Sequence, residues 1–259
     1  MKKVWILIFL LPASFSVAQV EARTEWWLDE PFRLIQTNLR EIDASDFDMD
    51  VYVESLQDIG ANAVLINVGG IVGNYYTDLE YHWQNTNLKF NLIKDVVDRL
   101  HQEGIRVIGR FDFSKLNETY AAKNPDWLYK GIHGEEVNYN GQVHTCVNGG
   151  YQQEYSLKIL DEALTKFPLD GVFFNMIGYR TRDYSHVYHG ICQSEACHKR
   201  FAEWSGGLDL PQEETMEDPV FRQYQQFKFR VWHPCRIFGT DNRNRQHSGF
   251  KRNHRYRYL

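Results

Sequence analysis

The sequence predicts an α/β fold, a (β/α)8 TIM-type barrel that is truncated after about four βα units. Three observations support this prediction. Strand-like apolar runs alternate with amphipathic helical patterns, which indicates a parallel sheet with crossover helices. Polar and aromatic residues collect after the carboxyl end of each strand, where barrels of this type build their sites. No GxGxxG loop follows the first strand, which disfavours an open dinucleotide-binding sheet.

The first unit begins with a strand over residues 33–39. A helix follows over 49–59, because apolar residues recur every three or four positions there. Asp46 or Asp48 is placed to cap its N-terminus, and Gly60 closes it. We therefore expect one complete strand–helix pair before residue 61.

The next three units repeat this pattern. Strands are predicted at 63–67, 105–111 and 171–174, with a glycine-rich loop at 68–74 after the second strand. A last helix is predicted over 218–232, and no fifth strand follows it. A whole barrel takes about 250 residues, so we expect residues 24–232 to be the N-terminal half of a barrel. The apolar faces of the two helices between these strands are formed by Leu92, Ile93, Val96, Val97 and Leu100, and by Ile159, Leu160, Ala163, Leu164 and Phe167.

The N-terminus has the pattern of an export signal. Lys2 and Lys3 precede an unbroken apolar run over 4–11, and Ser16 and Ala18 supply small residues for cleavage. Residues 1–18 are therefore predicted to be a signal peptide, with an uncleaved anchor helix as the alternative. We expect a secreted or periplasmic protein with no membrane span after cleavage, because no later stretch reaches about 18 apolar residues.

The C-terminal segment, 233–259, differs from the rest of the chain. The formal net charge is −5, yet this segment is rich in Arg, Asn and His and lacks apolar periodicity. We interpret it as a basic irregular tail, disordered or frameshifted. A basic tail can bind nucleic acid, but no aromatic platform or recognition-helix pattern accompanies it. No nucleic-acid partner is therefore expected.

Four cysteines, Cys146, Cys192, Cys197 and Cys235, leave two interpretations open. An exported chain can form disulfides, and Cys192 with Cys197 is one candidate pair. The same spacing would allow two ligands of a structural zinc ion, with Cys146 as a third. Zinc sites usually show tighter CxxC pairs, so a bridge or free thiols is the preferred interpretation. No cofactor and no metal are expected at the functional site, since no HExxH spacing is present.

Several segments together resemble the hypothetical glycosyl hydrolase 6 family, whose barrels are similar to family 29 α-L-fucosidases and barrel β-galactosidases. The resemblance implies a (β/α)8 barrel and glycoside hydrolysis. It extends over roughly residues 24–232. The segments that carry it are Glu25-Trp26-Trp27 before the first strand, Arg110-Phe111-Asp112, residues 170–175 and residues 189–201.

Hydrolysis of a glycosidic bond ordinarily uses two carboxyl groups. Fucosidase-like barrels carry a nucleophilic Asp at the end of strand four, whereas this chain has Asn175-Met176 there. The catalytic candidates are therefore Asp112, after the third strand, and Asp183, in the loop after the fourth. A structural ion pair is the alternative for each.

Sugar binding uses aromatic faces and planar polar groups. Residues of these types follow successive strands, although each alone is also compatible with loop packing. The candidate substrate-binding residues are Asn38, Asn67, His82, Arg110, His144, Asn148, Asn175, Tyr179 and Arg182.

The sequence therefore predicts a glycoside-hydrolase-like protein that acts on O-glycosidic bonds of an extracellular oligo- or polysaccharide. We expect this chain to be an incomplete and inactive form. The alternative is a non-catalytic glycan-binding barrel or pseudoenzyme. A homo-oligomer that completes the barrel is also possible, because a half-barrel leaves unpaired strand edges.

Overall fold

The computed structural model describes residues 31–232. The predicted signal peptide and the basic tail, with Cys235, lie outside the described residues. From Arg33 onward the described chain belongs to one compact unit. Within residues 31–232, no helix combines the length and apolar character that crossing a membrane requires.

Strands and helices alternate along the chain. The strands are β1 (Leu34–Thr37), β2 (Ala63–Gly70), β3 (Arg106–Asp112), β4 (Lys115–Asn117), β5 (Asn138–Tyr139), β6 (Gln142–His144) and β7 (Gly171–Asn175). The α-helices are α1 (Met49–Asp58), α2 (Leu92–Gln102), α3 (Glu118–Ala121), α4 (Ser156–Lys166), α5 (Glu195–Ser205) and α6 (Pro219–Trp232). Two 3-10 helices (Glu41–Ser45 and Pro125–Trp127) and a π-helical turn (Tyr151–Tyr155) complete the set.

The main sheet confirms the predicted α/β class with parallel strands. Its order is β1-β2-β3-β7, and every neighbouring pair is parallel. The strands follow chain order, without the reversal that characterises a doubly wound sheet. The four strands do not close into a barrel within residues 31–232.

A second sheet lies in the long connection between β3 and β7. It is antiparallel, with the order β4-β6-β5. The sequence did not predict it, because strands of two or three residues are too short to show an alternating pattern.

The two predicted helices that precede β2 and β3 form where expected. Asp48 caps α1 by accepting a hydrogen bond from the Val51 amide at 3.0 Å. All five predicted apolar residues of α2 are fully buried. Ile59, the last apolar position of the helix predicted over 49–59, is a correction: it follows the last turn of α1 and is 57% exposed.

The predicted glycine-rich loop is also corrected. Its first residues continue strand β2 to Gly70, which pairs with Asp112 of β3. The backbone of Gly70 has a φ of +104°, and a Cβ there would overlap the backbone of Asp112. Only glycine allows this close approach, so the pair of glycines extends the strand instead of ending it.

Two apolar clusters stabilise the compact unit. In the larger one, α4 packs on β2 and α2 packs on β3. The smaller one joins α5 and α6 to the connection between β3 and β7 through Phe201, Tyr224 and Phe227. Side chains alternate between the two faces of a strand. The residues of the main sheet that do not face these helices are therefore a different set.

Candidate functional site

A cleft opens at the carboxyl ends of the four parallel strands. Its volume is about 400 Å³. Polar side chains from all four strand ends reach it, together with parts of the connections that follow the strands. It is lined by Leu39, Arg40, Glu41, Asn67, Gly69, Ile71, Val72, Asn74, Arg110, Asp112, Gln142, Asn175 and Tyr184.

The strand register brings four of the predicted residues together in this cleft. Asn67 is paired with Arg110 across β2 and β3, and the Arg110 Nη1 donates to the Asn67 Oδ1 at 2.8 Å. Asp112 is paired with Asn175 across β3 and β7, and the Asn175 Nδ2 donates to the Asp112 Oδ2 at 2.7 Å. Adjacent strands therefore contribute two hydrogen-bonded pairs to one wall.

The Asp112 carboxylate is held in one orientation by three donors. Asn175 reaches one oxygen, while the backbone amide and hydroxyl of Ser114 reach the other at 3.0 and 2.6 Å. Each oxygen of a carboxylate can accept more than one hydrogen bond, so acceptor capacity remains for a ligand in the cleft.

Arg110 keeps a buried donor without a partner among the described residues. Its Nη1 binds Asn67, but its Nε is buried and makes no hydrogen bond. Asn67 is fixed in turn, since its Nδ2 donates to the Leu39 carbonyl at 3.2 Å. Arg110 also lines the cleft, so its guanidinium group presents a positive charge and N–H donors there.

The β1 side of the cleft carries charged residues that were not among the predicted site residues. Glu41 opens the 3-10 helix after β1, and its carboxylate accepts a hydrogen bond from the Trp83 indole at 3.2 Å. Arg40 pairs with the neighbouring Asp43 at 2.6 Å. Glu41 follows the first predicted strand, near the expected site, but nothing in the sequence favoured it over Asp112 and Asp183 as a catalytic candidate.

A tyrosine on a buried lysine forms the opposite rim. The Lys115 Nζ lies 4.3 Å from the centre of the Tyr184 ring, a cation–π geometry. Lys115 is only 5% exposed, and burial lowers its pKa. Tyr184 is 45% exposed and lines the cleft, so its ring is available to contact a ligand. This pair was missed because 69 residues separate Lys115 from Tyr184 in the sequence.

His82 lies beneath the glycine-rich segment and does not line the cleft. It is 2% exposed, and its Nε2 accepts a hydrogen bond from the Gly70 amide at 3.2 Å. Burial lowers the pKa of His82 to about 4, so the ring is neutral at pH 7. The structure therefore gives His82 a supporting contact to the end of β2.

His144, Asn148 and Tyr179 lie around a second, much smaller cavity. His144 and Tyr179 line it together with Cys192, and the Tyr179 hydroxyl donates to the Asn148 Oδ1 at 3.1 Å. Burial lowers the pKa of His144 to about 4, and its Nε2 has no hydrogen-bond partner among the described residues. These three residues do not line the larger cleft.

The remaining predicted residues lie in turns. Asn38 is exposed and accepts a hydrogen bond from Gln36 at 2.7 Å. Asp183 accepts hydrogen bonds from two backbone amides of its own turn, and a hydrogen bond from His189 lowers its pKa. Arg182 is exposed and donates to the His186 carbonyl. None of them lines the cleft, so a role for Asp183 in catalysis stays a prediction.

The described residues contain one cluster of side chains that could hold a metal ion. It consists of Cys146, Cys192 and Cys197, all of which are buried and free of disulfide bonds. The candidate bridge between Cys192 and Cys197 is not formed. The three cysteines lie within the smaller apolar cluster, outside the cleft.

A parallel α/β sheet with a polar, partly aromatic cleft at its strand ends is the arrangement of barrel enzymes and binding proteins for small polar ligands. The profile described as "Hypothetical glycosyl hydrolase 6" matches residues 48–176, about half of the chain. This match confirms the resemblance to that family seen in the sequence. A search of curated proteins finds no match.

Solved glycosidase structures are similar to this chain, and the fucosidase match supports a shared fold. α-L-fucosidase isoenzyme 2 from Paenibacillus thiaminolyticus has 18% sequence identity and a TM-score of 0.57, over 78% of this chain and 29% of the fucosidase. The chain thus spans less than a third of that enzyme. The GH36 α-galactosidase from Geobacillus stearothermophilus gives 15% identity and a TM-score of 0.46, over 78% of this chain and 26% of that enzyme. The fucosidase match shows similarity of fold alone, and together with the family profile it makes the chain glycoside-hydrolase-like.

Proposed function

We propose that this protein is a secreted glycoside-hydrolase-like protein that binds an oligo- or polysaccharide in the cleft without hydrolysing it. The observation that carries the proposal is the convergence of Asn67, Arg110, Asp112 and Asn175 on one open cleft of about 400 Å³. Amide, guanidinium and carboxylate groups are suited to grip sugar hydroxyls.

The chemistry of the cleft favours a neutral, hydroxyl-rich ligand. Asp112 offers acceptor oxygens, while the guanidinium of Arg110, which lines the cleft, offers N–H donors. A sugar hydroxyl both donates and accepts, so one ring with adjacent hydroxyls can satisfy both groups. The exposed Tyr184 ring at the rim can stack on the C–H face of the same sugar.

The sheet is proposed to be part of a (β/α)8 barrel. The sequential order of the four parallel strands supports this, and so does the likeness to the fucosidase fold. In such barrels the carboxyl ends of the strands carry the site, which is where the cleft lies.

Binding without hydrolysis follows from the acids in the cleft. Retaining hydrolysis needs two carboxyl groups about 5–5.5 Å apart. Asn175 places an amide, and not a second carboxyl group, 2.7 Å from Asp112. The other acid of the cleft, Glu41, follows β1, which β2 separates from β3. Two strand spacings place these strand ends roughly 10 Å apart.

Inverting hydrolysis is the second candidate function, and Glu41 is the observation that favours it. Inverting enzymes place their two carboxyl groups about 6.5–9.5 Å apart to admit a water molecule. The separation of roughly 10 Å between the ends of β1 and β3 is close to the upper end of this range. The indole of Trp83, which donates to Glu41, would then orient the carboxylate.

The proposal is tested by calorimetric titration of the purified chain with a panel of neutral oligosaccharides, beside assays with aryl glycosides. We expect binding by the native chain, a loss of about tenfold or more in affinity for Asp112→Asn, and no release of aglycone. Asp209→Asn, an exposed aspartate outside the cleft, is the matched control and should bind like the native chain.

Absence of binding to every glycan would contradict the proposal. Aglycone release that Glu41→Gln and Asp112→Asn both abolish would instead establish the second candidate. Equal binding by the native chain and Asp112→Asn would show that the glycan occupies another surface.

A further inference from the structure

Three buried cysteines from distant parts of the chain converge beside the smaller cavity. Cys146 follows strand β6, whereas Cys192 and Cys197 flank the N-terminus of helix α5. Their sulfur atoms all lie within 4.8 Å of one another, and the Cys146 and Cys197 sulfurs are 3.4 Å apart. None of the three is more than 5% exposed.

These separations match a set of metal ligands. Zinc binds thiolate sulfur at about 2.3 Å in a tetrahedral arrangement, which places two sulfurs roughly 3.8 Å apart. The observed range, from 3.4 Å to at most 4.8 Å, brackets this value. A disulfide would draw two of the sulfurs to about 2.05 Å and leave the third thiol buried without a partner. A metal ion can use all three.

We propose that Cys146, Cys192 and Cys197 bind a structural zinc ion. The fourth corner of the tetrahedron faces Ser194, whose Oγ lies 3.1 Å from the Cys146 sulfur and 3.4 Å from the Cys192 sulfur. Zinc–oxygen bonds of about 2.0 Å place an oxygen roughly 3.5 Å from each thiolate. An oxygen from Ser194 or from water therefore completes the site.

The hydrogen bonds around the sulfurs suit thiolate ligands. The backbone amide of Asn148 donates to the Cys146 sulfur at 3.3 Å, and its side-chain Nδ2 donates to the Cys197 sulfur at 3.2 Å. The Tyr179 hydroxyl fixes this side chain by donating to the Asn148 Oδ1. Such outer contacts orient metal ligands and tune their affinity.

The position of the cluster assigns the ion a structural role. The three sulfurs are covered by the smaller apolar cluster, which includes Phe201 and Tyr224. They lie outside the cleft lined by Asp112. The ion would tie the end of β6 to the start of α5, since Cys146 and Cys192 are 46 residues apart in the sequence. Buried, closed thiolate sites of this kind stabilise the fold.

The experiment uses the full chain, expressed with zinc and purified under reducing conditions. Metal content is measured by inductively coupled plasma mass spectrometry, and zinc is then exchanged for cobalt. We expect about one zinc ion per chain. The cobalt form should show thiolate-to-metal charge transfer and the intense visible bands of tetrahedral cobalt. Chelation should lower the Tm.

Three variants make the test specific. Cys197→Ser should reduce the metal content to about a tenth or less, because serine is similar to cysteine in shape but lacks the thiolate ligand. Asn148→Ala keeps all three sulfurs and should weaken zinc binding by about 10–100-fold. Tyr129→Phe is the matched control: it lines the same cavity and bonds the Gly190 carbonyl, but offers no ligand. It should retain the full metal content.

Two results would overturn the proposal. One is a chain that folds with less than about a tenth of an equivalent of zinc and shows no cobalt charge-transfer band. The other is peptide mapping of the untreated secreted chain that recovers Cys146 and Cys197 joined as a disulfide. If Cys197→Ser does not fold, the native cobalt spectrum and the Asn148→Ala affinity decide between the outcomes.

Discussion

Acid should destabilise the protein through His82, the buried histidine beneath the end of β2. Its Nε2 accepts a hydrogen bond from the Gly70 amide, and its Nδ1 lies 3.3 Å from the Thr77 hydroxyl. A proton on Nε2 would turn the acceptor into a donor that faces an N–H group. Burial accordingly lowers the pKa of His82 to about 4. Two smaller effects act on it as well: Glu162 raises this pKa, and Lys166 lowers it.

The size of the effect follows from linkage. The unfolded chain binds a proton near pH 6.5, whereas the folded protein does so near pH 4, so the stabilisation is complete above about pH 6.5 and is lost as the pH falls. Between about pH 7.5 and about pH 4.5 this one group should lower the free energy of unfolding by about 2.5 kcal/mol.

Urea unfolding of the native chain and of His82→Gln measures this contribution. The glutamine amide oxygen can still accept from Gly70 but does not titrate. The variant should therefore lose about 2.5 kcal/mol less than the native chain over the same pH interval. His133→Gln, at an exposed histidine, should follow the native profile. Parallel pH profiles for the native chain and His82→Gln would refute the reasoning.

The remaining predictions concern two structural contacts. Glu162→Gln should lower the free energy of unfolding by about 2 kcal/mol, because the Glu162 carboxylate accepts hydrogen bonds from the Tyr75 hydroxyl at 2.8 Å and the Asp78 amide at 2.6 Å. Asp161→Asn, at the exposed neighbouring residue, should change the free energy of unfolding by less than about 0.5 kcal/mol. Equal effects of the two substitutions would contradict this prediction. Gly70→Ala should cost about 2–5 kcal/mol, since backbone strain adds to the overlap with β3. Gly104 also has a positive φ, but there is open space where its Cβ would lie, so Gly104→Ala should cost only about 1–2 kcal/mol. Equal losses for the two variants in urea unfolding would exclude the overlap.

Local patterns predicted most of the main sheet and its helices. Helix α2 was foreseen because five apolar residues recur at helical spacing, and all five are buried. The end of β2 was not foreseen. Its two glycines resemble a loop in the sequence, and only the close approach of β3 shows that Gly70 belongs to the strand.

The candidate site was predictable where it depends on strand alternation. Arg110 and Asp112 stand two residues apart near the end of β3, and both line the cleft. His82 could not be assigned in the same way, because a polar side chain after a strand can point into a cleft or beneath it. The position of Tyr184 at the rim of the cleft could not be predicted, because its ring contacts Lys115, which is distant in the sequence.

Calorimetric titration of a neutral oligosaccharide panel into the native chain and Asp112→Asn tests the central claim most directly. Glycan binding at the strand ends predicts measurable affinity for the native chain and a loss of about tenfold or more in the variant. Asp209→Asn should remain unchanged. No heat of binding with any glycan, or the same affinity for the native chain and Asp112→Asn, would contradict the claim that this cleft binds carbohydrate.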